Sequence, residues 1–171
     1  MGEITFLTGP VRSGKSRRAV EQAKPWGNNT VFVATYRGDE LDSEMTARVR
    51  KHRAERPEWR TLEAPLDVAA SLMQLDPQPS GVIIDCLTLW ASAKFAESDE
   101  QIKAAWSAQL SAFSSFSWPS IIVSNELGWS LVPPEPQARR FRDLTGTLAQ
   151  LTAAAATTAW LVVAGCSVKL K

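Results

Sequence analysis

The sequence predicts an α/β fold in which a mostly parallel sheet is covered by helices on both faces. Two observations support this prediction: short apolar runs alternate with longer stretches of helical periodicity, and Pro- and Gly-containing breakers lie between them. Near-continuous apolar runs are typical of parallel strands that are buried on both faces. The predicted strands cover residues 3–8, 30–35, 59–63, 81–86, 120–124 and 158–165, and the predicted helices cover residues 15–24, 42–56, 65–75, 87–95, 99–116 and 135–156.

Each element follows from its local pattern. The first strand is the apolar run 4–8, and a helix begins near Lys15 after a glycine-rich turn. The turn-forming segment 76–81 precedes the strand 81–86, and the proline-rich segment 132–136 precedes the last helix. That helix carries apolar residues at helical spacing, which indicates core packing that can include a subunit contact: Phe141, Leu144, Leu148 and Leu151.

Length, composition and charge indicate one ordinary globular domain over residues 1–171. Hydrophobic residues make up 44% and charged residues 22% of the chain, and the formal net charge of +1 gives no general attraction to nucleic acid or an anionic membrane. We expect a cytoplasmic protein without a membrane span, because no signal-like segment or sufficiently long apolar run is present. Cys86 and Cys166 each end an apolar run without C-x-x-C spacing, so both are expected to be buried, reduced thiols.

A complete phosphate-binding pattern, G-x-x-x-x-G-K-[ST], directly follows the first strand. Such a turn aims several backbone N–H groups into one concavity, and the following helix adds its positive N-terminal end. Lys15 is expected to face solvent and reach the outer phosphates, and the Ser16 hydroxyl is expected to help to hold Mg²⁺. The pattern therefore predicts a nucleoside triphosphate site formed by Gly9, Pro10, Val11, Arg12, Ser13, Gly14, Lys15 and Ser16.

Asp85 ends the apolar strand 81–86. In proteins with a phosphate loop, an acid at this place usually lies beside the loop and holds Mg²⁺ directly or through water. The structural alternative is that Asp85 caps the helix that follows.

His52 is the single histidine and lies in the predicted helix 42–56, on the same face as Met45 and Val49. From spacing alone, a half-buried structural histidine on a basic helix explains the pattern. The alternative is a nucleophile toward phosphorus, with the flanking guanidinium groups of Arg48 and Arg56 holding phosphate oxygens. Nucleic-acid binding is not indicated, because this stretch has neither a broad basic surface nor stacking aromatic residues.

Together these residues resemble the bifunctional adenosylcobinamide kinase/adenosylcobinamide-phosphate guanylyltransferase family. The resemblance extends over essentially the whole chain. It rests on the segments 8–17, 34–35, 42–45, 47–48 with His52, 56–57, 59–61, 85–88, 124–128 with 132–133, 138–139, 141–143, 161–163 with Gly165, and 168–171. It implies a RecA-like phosphate-loop fold and a homotrimer.

The resemblance also implies two reactions and the residues that serve them. ATP or GTP would phosphorylate adenosylcobinamide, and GMP from GTP would then pass through His52 to give adenosylcobinamide-GDP. Glu63 and Asp85 match acidic positions of the family's nucleotide site. Further nucleotide contacts would come from Thr35, Tyr36 and Arg37 and from Arg53, Ala54, Glu55 and Arg56.

Several positions depart from the family's common pattern. Pro10 removes one backbone donor from the loop, Lys51 replaces a frequent second histidine, and Asp85 replaces a frequent glutamate. Trp90, Trp106 and Trp118 would suit a corrinoid pocket, although core or subunit packing is the preferred interpretation. Two other functions remain open, a single-step small-molecule kinase and a non-catalytic nucleotide-binding subunit.

Overall fold

The computed structural model describes residues 2–37 and 57–171, and its helices and strands follow the predicted α/β order. The strands are β1 Ile4–Gly9, β2 Thr30–Ala34, β3 Arg60–Glu63, β4 Gly81–Asp85, β5 Ser120–Asn125, β6 Thr158–Val163 and β7 Cys166–Lys169. The helices are α1 Lys15–Ala23, α2 Val68–Met73, α3 Leu87–Ala93, α4 Asp99–Ser115 and α5 Pro136–Ala155, with a 3₁₀ turn at Lys24–Trp26. The predicted helix 42–56 lies outside the described residues.

The strands form one sheet in the order β3-β2-β4-β5-β1-β6-β7. All neighbouring pairs are parallel except β6 and β7, which are antiparallel. Strand β5 therefore lies between β1, which leads into the phosphate loop, and β4, which ends at Asp85. Because the carboxyl ends of parallel strands meet at one edge, the predicted site residues on these strands are brought to the same side of the sheet.

Two buried clusters show that helices cover both faces of the sheet. On one face α1 packs its Ala19 and Val20 against Leu7 and Ile83. On the other face the buried residues of α2, α3, α4 and α5 pack together over alternate residues of the same strands. The predicted three-layer α/β fold, consistent with a phosphate-loop NTPase, is therefore confirmed.

The tryptophans of the segment 89–118 belong to the core. Trp90 and Trp106 are 1% and 0% exposed, and their ring centroids lie 4.8 Å apart. The Trp106 indole donates to Thr152 Oγ1 at 2.8 Å, so its polar edge is satisfied inside the protein. Trp118 is 6% exposed. The preferred interpretation of core packing is confirmed, and the alternative of a corrinoid surface formed by Trp90, Trp106 and Trp118 is wrong.

The C-terminal strand prediction needs a correction. The predicted strand 158–165 ends at Val163, the chain reverses at Ala164 and Gly165, and β7 returns beside β6. Both turn residues have positive φ, 51° and 80°, as a type I′ hairpin turn requires. Cys166 begins the edge strand β7 and is exposed, whereas Cys86 is buried; the expectation of two buried thiols holds for Cys86 alone.

No helix within residues 2–37 and 57–171 is both long and apolar enough to cross a membrane.

Candidate active site

The phosphate loop joins β1 to α1, as predicted, and its backbone needs glycine at both ends. Gly9 has φ of 151°, and a Cβ built there would lie 2.1 Å from the Val162 carbonyl oxygen. Gly14, which precedes the first residue of α1, has φ of 100°. Neither position can take an ordinary side chain without moving the backbone, so the two glycines of the pattern are explained by geometry.

The loop is held in place through its carbonyl groups. Gly9 O accepts from the Glu126 N–H at 2.8 Å, and Ser13 O accepts from the Gly165 N–H at 2.9 Å. Within residues 2–37 and 57–171, no acceptor receives the backbone N–H groups of residues 11–16. With its carbonyls engaged by the scaffold and its N–H groups unpaired in this part of the chain, the loop is a ready anion-binding concavity.

Lys15 is buried, with only 5% of its surface exposed, which corrects the expectation that it faces solvent. Its Nζ donates to Pro10 O at 2.7 Å and to Ser13 Oγ at 3.4 Å. Burial lowers the pKa of the Lys15 ammonium group, while the nearby negative charge of Asp85 acts in the opposite direction. Pro10 lacks an N–H, but its carbonyl therefore helps to hold the cation at the loop.

Asp85 lies at the carboxyl end of β4, and its charge reaches Lys15. Cys86, and not Asp85, takes the N-cap position of α3, and no side-chain hydrogen bond caps that helix. The alternative role of Asp85 as a helix cap is therefore not observed. A carboxylate beside the loop lysine is the arrangement that the sequence predicted.

Thr35 fixes the backbone next to Asp85. Its hydroxyl accepts from the Cys86 N–H and donates to the Cys86 carbonyl, both at 2.7 Å, and its own N–H donates to Asp85 O at 3.1 Å. Since these bonds occupy the buried hydroxyl, the observed contribution of Thr35 is to join the end of β2 to the end of β4. Tyr36 and Arg37 continue from there.

Glu63 ends β3 at the same edge of the sheet. Ala34 of β2 pairs with Glu63 on one side and with Asp85 on the other. The structure thus brings two of the predicted acidic residues to the ends of β3 and β4, the two strands that flank β2, on the side where β1 enters the phosphate loop.

A polar cluster that the sequence did not predict lies beside the carboxyl ends of β4 and β5. Thr88 Oγ1 lies 2.9 Å from Cys86 Sγ and accepts from Asn125 Nδ2 at 3.3 Å. Asn125 ends β5 in register with Gly9. Burial, with a contribution from the charge of Asp85, raises the pKa of the Cys86 thiol to about 11, so this thiol stays protonated at neutral pH. The signal available in the sequence was a polar residue at the end of an apolar strand.

His52 and the segment Arg53, Ala54, Glu55 and Arg56 lie outside the described residues, so their predicted roles stay predictions. In the described part of the chain, no group of three or more His, Cys, Asp or Glu side chains could hold a metal ion. The described site is therefore an anion-binding loop with one buried cation and nearby carboxylates.

Known proteins match this chain over a range that includes the residues of the candidate site. A family model described as "Cobinamide kinase / cobinamide phosphate guanyltransferase" matches residues 5–170. A "Bifunctional adenosylcobalamin biosynthesis protein CobP" of Pseudomonas aeruginosa is 35% identical over 168 residues, which cover 97% of this chain and 96% of the relative. Proteins named "Bifunctional adenosylcobalamin biosynthesis protein CobU" from Escherichia coli K12 and Salmonella typhimurium are each 34% identical over 186 residues, covering 98% of this chain and 99% of the relative.

The matched range includes the loop, Lys15, Asp85 and the strand-end cluster described above. It also runs across the segment that contains His52. On this evidence the chain belongs to the cobinamide kinase / cobinamide phosphate guanyltransferase family.

Proposed function

We propose that this enzyme carries out two successive group transfers at one phosphate loop and that His52 carries the nucleotidyl group between them. Membership of the family makes the chain a kinase and guanylyltransferase of cobalamin biosynthesis. The histidine intermediate, the choice of donors, the metal ion and the assembly are the parts that the proposal adds. The observation that carries it is a loop around a buried Lys15 whose N–H groups find no acceptor within residues 2–37 and 57–171.

The first step transfers a phosphoryl group from ATP or GTP to adenosylcobinamide. The hydroxyl oxygen of the corrinoid attacks the γ-phosphorus, the bond to the β,γ-bridging oxygen breaks, and a nucleoside diphosphate leaves as the hydroxyl loses its proton. The N–H groups of residues 11–16 and the ammonium group of Lys15 would stabilise the charge that develops on the phosphates. Lys15 is suited to this because Pro10 and Ser13 already hold its ammonium group at the loop.

The second step transfers GMP. A nitrogen of the His52 imidazole attacks the α-phosphorus of GTP, a P–N bond forms and pyrophosphate leaves. A phosphate oxygen of adenosylcobinamide phosphate then attacks the same phosphorus, the P–N bond breaks and adenosylcobinamide-GDP is released. Arg53 and Arg56 would neutralise phosphate charge, and Tyr36, Arg37 and Glu63 would contact the nucleotide.

The residues of the site fit Mg²⁺. Ser16 in the first turn of α1 and Asp85 at the end of β4 offer hard oxygen donors, which this ion prefers. A site with so few protein donors also suits an ion that keeps several waters and binds substrate phosphates. When bound, Mg²⁺ would neutralise charge on the phosphates.

We further propose that the enzyme is a cytoplasmic homotrimer in which a single domain serves both steps. The resemblance of the sequence to its family supports the trimer. The ligands are then small molecules, namely the nucleotides and the corrinoid, with no role for nucleic acid.

A label at the α-phosphate of GTP tests the proposed intermediate directly. Wild-type protein incubated with labelled GTP and Mg²⁺ should gain one GMP, seen by mass spectrometry, and the adduct should be labile to acid and stable to alkali. His52→Ala should lose the adduct and keep much of the phosphorylation of adenosylcobinamide, while the control Lys51→Gln keeps both.

An adduct that persists in His52→Ala, or one that alkali releases, would refute the role of His52. Phosphorylation without any adduct in the wild-type protein would favour the single-step kinase.

A further inference from the structure

An exposed apolar patch follows the strand that supports the phosphate loop. Trp129, Leu131 and Val132 are 62%, 94% and 66% exposed, and they lie within four consecutive residues of the connection between β5 and α5. We call these three residues the apolar tip. Large apolar side chains that are exposed together usually mark a binding surface, whereas single ones are common everywhere.

The connection that carries the apolar tip is attached to the phosphate loop at its start. Gly9 is the first residue of the loop pattern, and its carbonyl oxygen accepts from the Glu126 N–H at 2.8 Å. Glu126 Oε1 then accepts from the Gly128 N–H at 2.6 Å, immediately before Trp129. The apolar tip therefore begins three residues after a direct contact with the phosphate-binding backbone.

The connection is also held at its other end and within the tip. Arg139 of α5 donates to the carbonyls of Pro133 and Pro134, and the Ser130 hydroxyl donates to Leu127 O at 3.0 Å. A tryptophan has few rotatable bonds and offers a large contact area at a low cost in conformational entropy. The backbone on both sides of the apolar tip is thus hydrogen-bonded to its surroundings.

We infer that the apolar tip binds the corrin macrocycle of the acceptor during phosphorylation, an inference that rests on the proposed function. The attacking hydroxyl must come within about 3.5 Å of the transferred phosphorus, so the bulk of its carrier has to rest on surface beside the phosphate loop. A corrin is a broad ring whose faces carry methyl groups as well as amide side chains, and the methyl groups suit an apolar surface. The apolar tip meets both needs, since it is apolar and begins three residues after Glu126, which is hydrogen-bonded to Gly9, whereas Trp90, Trp106 and Trp118 are buried in the core.

Direct binding and kinetics test this inference with matched variants. We expect Trp129→Ala to weaken the binding of adenosylcobinamide about tenfold, because the contact area of one large aromatic side chain is lost. The KM for adenosylcobinamide in the kinase step should rise by a similar factor, while the KM for the nucleotide and kcat stay within about twofold of wild type. Leu131→Ala should act in the same direction with a smaller effect.

The control is Met73→Ala on α2, because Met73 is 56% exposed and lies outside the site. Met73→Ala should leave the dissociation constant and the KM for adenosylcobinamide unchanged. Binding is measured by equilibrium dialysis with a non-hydrolysable ATP analogue present, and light scattering reports the mass of each variant.

The outcomes separate the inference from the proposed function. Unchanged corrinoid binding in Trp129→Ala and Leu131→Ala, or a wild-type protein that does not bind the corrinoid, would overturn the inference. A loss of assembly mass in both variants would also overturn it, because the apolar tip would then be a contact between copies of the chain. Tight corrinoid binding that depends on Trp129 but leads to no turnover would leave the inference standing and refute the proposed function.

Discussion

Replacing Lys15 by methionine separates the catalytic charge of this side chain from its packing. The residue is 5% exposed, so an apolar side chain of similar length can occupy its place. The ammonium group at the loop is lost, and removal of one preorganised charge from a transferring phosphoryl group costs about 2–4 kcal/mol of barrier. We therefore expect kcat/KM for the phosphorylation of adenosylcobinamide to fall by about 30- to 1000-fold.

The stability of the wild-type protein relative to this variant should depend on pH in a defined direction. Burial lowers the pKa of Lys15 in the folded chain, whereas in the unfolded chain it stays near 10.4. Between these two values the unfolded chain binds more protons, so the free energy of unfolding of the wild type gains a contribution that rises with pH. At pH values below the pKa of Lys15 in the folded chain, this contribution is absent and the full desolvation cost of the ammonium group remains.

Lys15→Met has no ammonium group to titrate at this position, so its free energy of unfolding should lack this rise with pH. At neutral pH the free energy of unfolding of this variant should be within about 1 kcal/mol of the wild-type value or above it. The reason is that relief of desolvation opposes the loss of the hydrogen bonds to Pro10 and Ser13.

Kinase rates, far-ultraviolet circular dichroism and urea unfolding at about pH 7 and about pH 10 provide the measurements, the two values being chosen to span the lysine titration. Lys103→Met is the control, because Lys103 lies on α4 in a surface pair with Glu100 at 3.5 Å and should keep its activity. Near-normal phosphorylation by Lys15→Met would refute the assignment of the loop. A stability difference between wild type and variant that does not change with pH would refute the argument from burial.

Two further predictions concern the glycine at the start of the loop and the thiols. Gly9→Ala should lower the free energy of unfolding by about 2–4 kcal/mol and abolish nucleotide binding, because its Cβ would lie 2.1 Å from Val162 O. Urea unfolding measures the first effect and nucleotide titration the second. A stable variant that binds nucleotide normally would contradict this reasoning. At pH 8, iodoacetamide should label Cys166, which is exposed, and spare Cys86, which is buried with its pKa raised to about 11. Peptide mass spectrometry locates the label. Rapid labelling of Cys86 in the folded protein would contradict this prediction.

The predictions that succeeded from sequence concern features built from neighbouring residues. A strand, a turn that requires glycine and a helix follow one another within residues 4–23, so the order of residues alone predicts where Lys15 and Ser16 lie. Asp85 was found in the same way, because an apolar run that ends in an acid predicts both the strand and the residue at its carboxyl end. The fold class was predicted from the same alternation of local patterns.

The failures concern burial and neighbours across the sheet. Lys15 is enclosed because the strand ends around the loop bring Asp85 and Cys86 close to it, although these lie about seventy residues away in the chain. Cys166 is exposed because a turn at Ala164 and Gly165 makes its strand the sheet edge. Strand order also placed Asn125 beside the loop, and strand order depends on contacts between distant segments.

The sequence by itself determined that the chain forms a phosphate loop on an α/β scaffold, and its resemblance to relatives indicated the reaction. Only the tertiary structure decided which tryptophan is exposed: Trp106 is fully buried against α5, while Trp129 is 62% exposed in the connection between β5 and α5. Both residues carry the same side chain. What distinguishes them is the packing around each, and packing is set by segments that meet only when the chain has folded.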